Sequence, residues 1–203
     1  MKRKLIILIS FILFLLIFLL YKLDLINNID NSVYNFIIGI KSRNMTSIMK
    51  IITFFASTKF IIFILLLLLL LSIKYKKIPI LINIVVIIEI LINNLVKIIV
   101  RRDRPKLINL VTEKSFSFPS GHTMVSVTLY GFIIYLILKS NINKKLKYLL
   151  ISLLSVLTIL IMISRIYLGA HFFSDVFGGL CLALAYLITT IDIIERKKLL
   201  WKH

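Results

Sequence analysis

Phe60-Ile61-Ile62-Phe63-Ile64-Leu65-Leu66-Leu67-Leu68-Leu69-Leu70-Leu71-Ser72-Ile73 contains no charged side chain and one hydroxyl. With its lead-in from residue 57, this run approaches the roughly 20 apolar residues a helix needs to cross the hydrocarbon layer. Five further runs of the same kind occur at about 5–22, 79–100, 122–138, 147–164 and 174–194. The spacing predicts an all-α bundle of six transmembrane helices, with residues 1–203 forming one integral membrane domain and both termini on one side. The stretch 44–55 alternates apolar and polar residues after Asn44, a helix-cap residue type. It reads either as a separate helix that bends at Ala56-Ser57-Thr58 or as the first half of the second span.

Composition agrees with the spans. Hydrophobic residues make up 60% of the 203, and the mean hydropathy of +1.04 excludes an ordinary soluble domain. A net charge of +18 would point to nucleic acid in a soluble protein. Here the basic residues sit in short segments between apolar runs, so the expected partners are membrane lipids and not nucleic acid. The single cysteine, Cys181, excludes an intramolecular disulfide and a cysteine-based zinc site, and reads as a small packing residue. Met1-Lys2-Arg3-Lys4 ahead of Leu5–Leu20 resembles a signal sequence, but no small-residue cleavage site follows before Tyr21. The expectation is a retained first helix.

Lys2, Arg3, Lys4, Lys74, Lys76, Lys77, Lys139, Lys144, Lys145, Lys147, Arg196, Lys197, Lys198 and Lys202 fall on one side of this arrangement, 14 of the 26 basic residues. Several of the others belong to the chemical segments described next. By the excess of basic residues in cytoplasmic loops, the termini are expected in the cytoplasm of a multi-pass cell-membrane protein. Residues 101–121, the end of span five and the start of span six then meet on the extracytoplasmic face.

Three segments there carry chemistry. In Lys97-Ile98-Ile99-Val100-Arg101-Arg102-Asp103-Arg104-Pro105, continued helical spacing would place Lys97, Arg101 and Arg104 on one stripe, with Asn93 and Glu89 extending it inward. Taken alone, the cations read as snorkelling flank residues; with Asn93 and Glu89, the stripe reads as facing the bundle interior. Glu89 either helps hold Lys97, through water or Asn93, or satisfies another helix. In Phe118-Pro119-Ser120-Gly121-His122-Thr123, proline suits a helix start, and the free N–H groups there form an anion site. Ser120 adds a hydroxyl donor, Gly121 permits close backbone approach, and His122 can donate a proton; a plain helix cap is the competing explanation. In Ser164-Arg165-Ile166-Tyr167-Leu168-Gly169-Ala170-His171-Phe172-Phe173-Ser174-Asp175, four-residue spacing on one helix would let Asp175 accept the His171 imidazole N–H. The opposite nitrogen keeps its lone pair for attack. A merely structural His–Asp pair fits that segment equally well. Arg165 brings a forked guanidinium suited to phosphate. Three histidines, one of them the terminal His203, supply no complete metal shell.

Lys97 with Arg104-Pro105, then Pro119-Ser120-Gly121-His122, then Ser164-Arg165 with His171 and Asp175, resembles the three-part signature of the type 2 phosphatidic acid phosphatase (PAP2) superfamily, unsubstituted and in order. The resemblance implies the helical bundle type shared with acid phosphatases and vanadium haloperoxidases, with residues 1–203 a single membrane phosphatase domain whose motifs lie within 97–175. It implies His171 as nucleophile, Asp175 as its orienter, His122 as general acid, and Lys97, Arg104, Ser120, Gly121 and Arg165 as phosphate holders. No metal or cofactor is required. Arg101 and Arg102 stand outside the signature, either binding a second phosphate or lipid head groups, or snorkelling. The expected substrate is an anionic lipid phosphate, with undecaprenyl diphosphate first. The alternatives are a phosphatidylglycerophosphate or phosphatidate phosphatase, a lipid phosphotransferase, and a non-catalytic lipid carrier.

Overall fold

The computed structural model describes residues 2–75, 77–106, 110–111, 113 and 115–200. Lys76 and Lys202 of the basic clusters, and His203, therefore lie outside the described residues. Eight helices are present among them: α1 (Lys2–Lys22), α2 (Asn27–Gly39), α3 (Arg43–Phe54), α4 (Thr58–Tyr75), α5 (Lys77–Val100), α6 (Gly121–Lys139), α7 (Lys144–Tyr167) and α8 (Phe173–Arg196). Hydrocarbon offers backbone groups no partner, so apolar runs of this length close their hydrogen bonds internally as helices. Counting α3 and α4 as one run, six spans are long and apolar enough to cross a membrane, in agreement with the sequence.

The differences fall at the ends of elements. The first residue of α3 follows Ser42, whose Oγ accepts from the Met45 N–H at 3.2 Å; the cap is Ser42 and not Asn44. The bend expected at residues 56–58 separates α3 from α4 at Phe55-Ala56-Ser57. Helix α2 has no counterpart among the spans read from the sequence, because its mixture of Asn, Asp and apolar residues is too polar to resemble a crossing.

Helices α6 and α8 form the centre. Helix α6 packs on α5, α7 and α8, and α8 packs on α1, while α4 rests mainly on α5 and presents Phe63, Leu66, Leu69 and Leu70 outward. That outward greasiness matches lipid contact. Arg3 on α1 pairs with Glu195 on α8, and Lys139 at the end of α6 reaches the same carboxylate at 3.0 Å. The two ends of the chain and the α6–α7 turn therefore share one end of the bundle. The opposite end holds all three chemical segments.

Phe118 fixes the approach to that end. Its ring is fully buried between Phe14, at 5.8 Å, and Tyr21, at 6.4 Å between ring centroids. Gly178 on α8 lies beneath it: a Cβ there would stand 2.6 and 2.8 Å from two Phe118 ring carbons. The missing side chain lets α8 reach the Phe118-Pro119 turn, and the Ser120 N–H donates to Asp175 O at 3.1 Å. Gly178→Ala should therefore destabilise the detergent-solubilised protein by about 1–3 kcal/mol, read as a lowered thermal midpoint. Gly131→Ala, whose Cβ meets only the end of Leu187, should cost less than about 1 kcal/mol. An unchanged midpoint for Gly178→Ala would show that this contact does not fix the turn.

Candidate active site

His171 owes its position to the way α7 stops. Leu168 caps the helix and Gly169 follows at φ 67°, a conformation glycine adopts without steric cost. The Gly169 N–H then bonds Ile166 O at 3.0 Å and the Ala170 N–H bonds Arg165 O at 3.1 Å, the paired pattern that closes a helix C-terminus. The His171 N–H also turns back to Arg165 O at 3.3 Å. The chain thus folds His171 over Arg165.

His171 consequently lies outside α8, while Asp175 is inside its first turn; the expected single helix carrying both is corrected. Asp175 Oδ2 accepts the Phe172 N–H at 2.8 Å, closing the start of α8. The same oxygen is 3.7 Å from His171 Nδ1, longer than a hydrogen bond. Ser117 fills the gap: its Oγ donates to Asp175 Oδ2 at 2.5 Å and stands 3.3 Å from His171 Nδ1. The sequence reading missed Ser117, because no spacing rule links a loop serine to a histidine 54 residues away.

The other ring nitrogen faces a cation. Arg104 Nη1 is 3.2 Å from His171 Nε2 and donates to Ala170 O at 2.7 Å. A guanidinium can only donate, so the hydrogen-bond network assigns Nε2 as the acceptor and puts the ring proton on Nδ1, toward Ser117 and Asp175. Burial, followed by the charges of Arg165, Arg104 and Lys97, holds the His171 imidazole well below the usual histidine range. A neutral imidazole with its lone pair at Nε2 can act as a nucleophile. Burial also lowers Arg104 from the ordinary arginine value.

The three-cation stripe does not persist as a helical face. Helix α5 ends at Val100 and Arg101 adopts φ 53°, so Arg101 turns away exposed and Arg104 returns to the site on a loop. Arg104 is clamped there by Ser115 O at 2.7 Å and Ser115 Oγ at 3.1 Å. Lys97 is buried and donates to Phe116 O. Arg165 is also buried, donating to Thr53 Oγ1 at 2.9 Å and pairing with Glu113. Glu113 Oε1 lies 4.0 Å from His122 Nδ1. An incoming phosphate would compete with this carboxylate for Arg165, a relation the sequence reading did not find.

Lys97, Arg104, Gly121, His122 and His171 line one cavity of about 260 Å³, together with Glu113, Asn93 and Glu89. Ser120 stands behind the wall. It is fully buried, and its Oγ accepts from Thr123 Oγ1 at 3.0 Å and from the Thr123 N–H at 3.4 Å. The helix-cap explanation thus holds for Ser120, and Pro119 precedes the cap instead of starting α6.

Arg102 is neither a head-group ligand nor a snorkelling residue. It is 4% exposed, and its guanidinium reaches Asp30 Oδ2 at 2.6 Å, Asp175 Oδ1 at 2.7 Å and Ser174 Oγ at 2.6 Å. Tyr21 and Phe172 cover its two sides, their ring centroids 4.5 and 4.4 Å from the guanidinium carbon. Asp30 also accepts from Ser174 N–H at 2.9 Å, so α2 is tied to α8 through the same cluster.

Two imidazoles and the cations Lys97, Arg104 and Arg165 thus gather at one end of a helical membrane bundle, an arrangement with the parts that a membrane phosphatase needs. The chain belongs to the PAP2 superfamily, whose family model matches residues 78–199 and so spans all three motifs. It is 30% identical over 180 residues to phosphatidylglycerophosphatase B of Bacillus subtilis (strain 168), covering 86% of this chain and 87% of that one. The crystal structure of a transmembrane PAP2 type phosphatidylglycerolphosphate phosphatase from Bacillus subtilis superposes with a TM-score of 0.86 at 27% identity, over 94% of this chain and 96% of that one. Aquifex aeolicus LpxE shares the fold, with a TM-score of 0.58 at 21% identity over 79% of this chain and 93% of its own.

Arg102→Met would leave Asp30 and Asp175 buried without their counterion. The variant should be destabilised by about 3–5 kcal/mol, measured by thermal unfolding in detergent. Arg102→Lys should recover only part of the loss, since one ammonium cannot fork between the two carboxylates as a guanidinium does. Full recovery would argue against the importance of the fork.

Proposed function

We propose that this membrane lipid phosphatase hydrolyses the terminal phosphate of phosphatidylglycerophosphate through a phosphohistidine formed on His171. The observation that carries the chemistry is the His171 Nε2 lone pair, held by Arg104 at 3.2 Å beside a cavity that His122 also lines. His171 attacks phosphorus while His122 protonates the departing oxygen; water, deprotonated by His122, then hydrolyses the phosphohistidine. Lys97, Arg104 and Arg165 stabilise the equatorial oxygens in both steps, with the Gly121 backbone beside them. Asp175 orients His171 by way of Ser117. Ser120 contributes from behind, by fixing the start of α6. The charge of the phosphate is met by side chains, so the scheme requires no metal.

The substrate reading rests on the likeness to phosphatidylglycerophosphatase B, which extends over most of both chains. Undecaprenyl diphosphate, first in the reading of the sequence, gives way to its alternative on that ground. The basic clusters at the opposite end support a site on the extracytoplasmic face, with the termini in the cytoplasm.

Orientation has a direct test. In a Cys181→Ala background, cysteine at Ser115 should react with a membrane-impermeant thiol reagent added to intact cells, and cysteine at Asn141 only after lysis. The reverse pattern would invert the topology.

The two histidines should separate by role. His171→Ala should form no covalent phosphoenzyme with any substrate. His122→Ala should fail on a lipid alkoxide leaving group. With an activated leaving group that departs unprotonated it should still phosphorylate His171 and then stall, so that acid-labile phosphohistidine accumulates. A stable phosphoenzyme in His171→Ala, or undiminished lipid turnover by His122→Ala, would contradict the assignment.

A further inference from the structure

The cavity continues past the phosphate site. Beyond His122 its wall is largely apolar, with Ile61, Leu65, Ile90 and Val125, and Glu89 interrupts it. Glu89 lies eight residues before Lys97 on α5, about 12 Å along the helix axis. It is 1% exposed, and neither carboxyl oxygen has a hydrogen-bond partner among the described residues. Asn93, one turn away, is committed elsewhere: its amide donates to Pro119 O at 3.3 Å and lies 3.1 Å from Met124 Sδ. A carboxyl group buried without a partner is costly, the more so at membrane depth. Its retention beside the cavity calls for a hydrogen-bonding group supplied in the working state.

The leaving alcohol can supply one. In the proposed in-line displacement, phosphorus lies between His171 and His122, so the departing oxygen is on the His122 side. Asn93 stands against Gly121, where a Cβ would meet its Oδ1 at 3.1 Å; Glu89, one turn inward on α5, and Val125, one turn inward on α6, therefore stand at a similar depth, and both line the cavity. The leaving alcohol of phosphatidylglycerophosphate is phosphatidylglycerol, whose head-group glycerol bears a free hydroxyl on the carbon next to the departing oxygen's. Diacylglycerol, leaving from phosphatidate, has its remaining oxygens esterified, and a polyprenyl diphosphate releases a polyprenyl phosphate, which has no hydroxyl on a neighbouring carbon. A hydroxyl can both donate to and accept from a carboxyl group.

We propose that Glu89 is a specificity-determining residue that hydrogen-bonds the free hydroxyl of a glycerol leaving group, so that the site selects phosphomonoesters of hydroxyl-bearing lipid head groups. The proposal rests on the phosphatase reading above and narrows it.

The test uses the full chain in mixed micelles and reads phosphate release from phosphatidylglycerophosphate and from an analogue whose free head-group hydroxyl is replaced by hydrogen. For the wild type, kcat/KM should favour the hydroxyl-bearing lipid on the order of ten-fold or more, because the analogue leaves a buried polar group unpaired. In Glu89→Leu that ratio should fall to about one, and Glu89→Gln should lie between, since the amide keeps a donor and an acceptor. A general structural role for Glu89 would lower turnover of both lipids and leave the ratio at its wild-type value, which overturns the proposal. Indifference of the wild type to the missing hydroxyl overturns it without any variant, so a Glu89→Leu protein that fails to fold does not shield it. Those outcomes leave the phosphatase reading intact. Release of phosphate from neither lipid by monodisperse wild type would overturn that reading and this proposal together.

Discussion

The buried guanidinium of Arg102, held between Asp30 and Asp175, is the constraint on which the catalytic end of the bundle depends. Two carboxylates with almost no solvent contact need a counterion, and the fork of one arginine supplies it to both at 2.6 and 2.7 Å. The arrangement joins three pieces of chain: α2 through Asp30, the loop after α5 through Arg102, and the start of α8 through Asp175. The backbone carbonyl of Arg102 also accepts the Ser117 N–H at 2.8 Å. That bond sets the hydroxyl that bridges Asp175 and His171. An error in any one of these contacts would be passed to the imidazole.

His171 illustrates what such a scaffold must accomplish. In the proposed mechanism phosphate binding requires positive charge close to the attacking imidazole, and the same charge disfavours protonation of that ring. Burial acts in the same direction. Asp175 opposes both, but its effect is moderated by Arg102 on one oxygen and by the Ser117 hydroxyl on the other. The result is a histidine that stays neutral among three cations while its Nδ1 proton remains directed. A carboxylate in direct contact, without Arg102, would favour the imidazolium and remove the lone pair needed for attack.

The fold was legible because span length and composition are one-dimensional properties: hydrocarbon selects for them regardless of what each helix packs against. The cationic end of the cavity wall was legible for a different reason, since Lys97, Arg104, Gly121, His122 and His171 fall in short motifs of fixed spacing. What escaped was everything that closes through space. Asp30 lies on a helix too polar to count as a span, 72 residues from Arg102. Ser117 and Glu113 sit in a loop with no periodicity. Arg102 was misjudged because a cation at the end of an apolar run has the same local sequence whether it snorkels or is buried. Helical extrapolation beyond Val100 failed for a related reason: a left-handed residue at Arg101 ends the helix, and residues other than glycine seldom announce that conformation.

The same cavity has two chemistries arranged along its depth. Near the bundle end it is cationic and bounded by the two imidazoles; further in it is apolar, with the amide nitrogen of Asn93 already engaged by Pro119 and Met124. In the proposed substrate the terminal phosphate comes first and the head-group glycerol next, the order in which the cationic end of the cavity and the wall around Glu89 follow one another. In a soluble enzyme water could satisfy an idle carboxyl group at little cost. At this depth the cost of leaving it idle is high, which makes a buried acid beside a binding cavity more informative about the ligand than an exposed one would be.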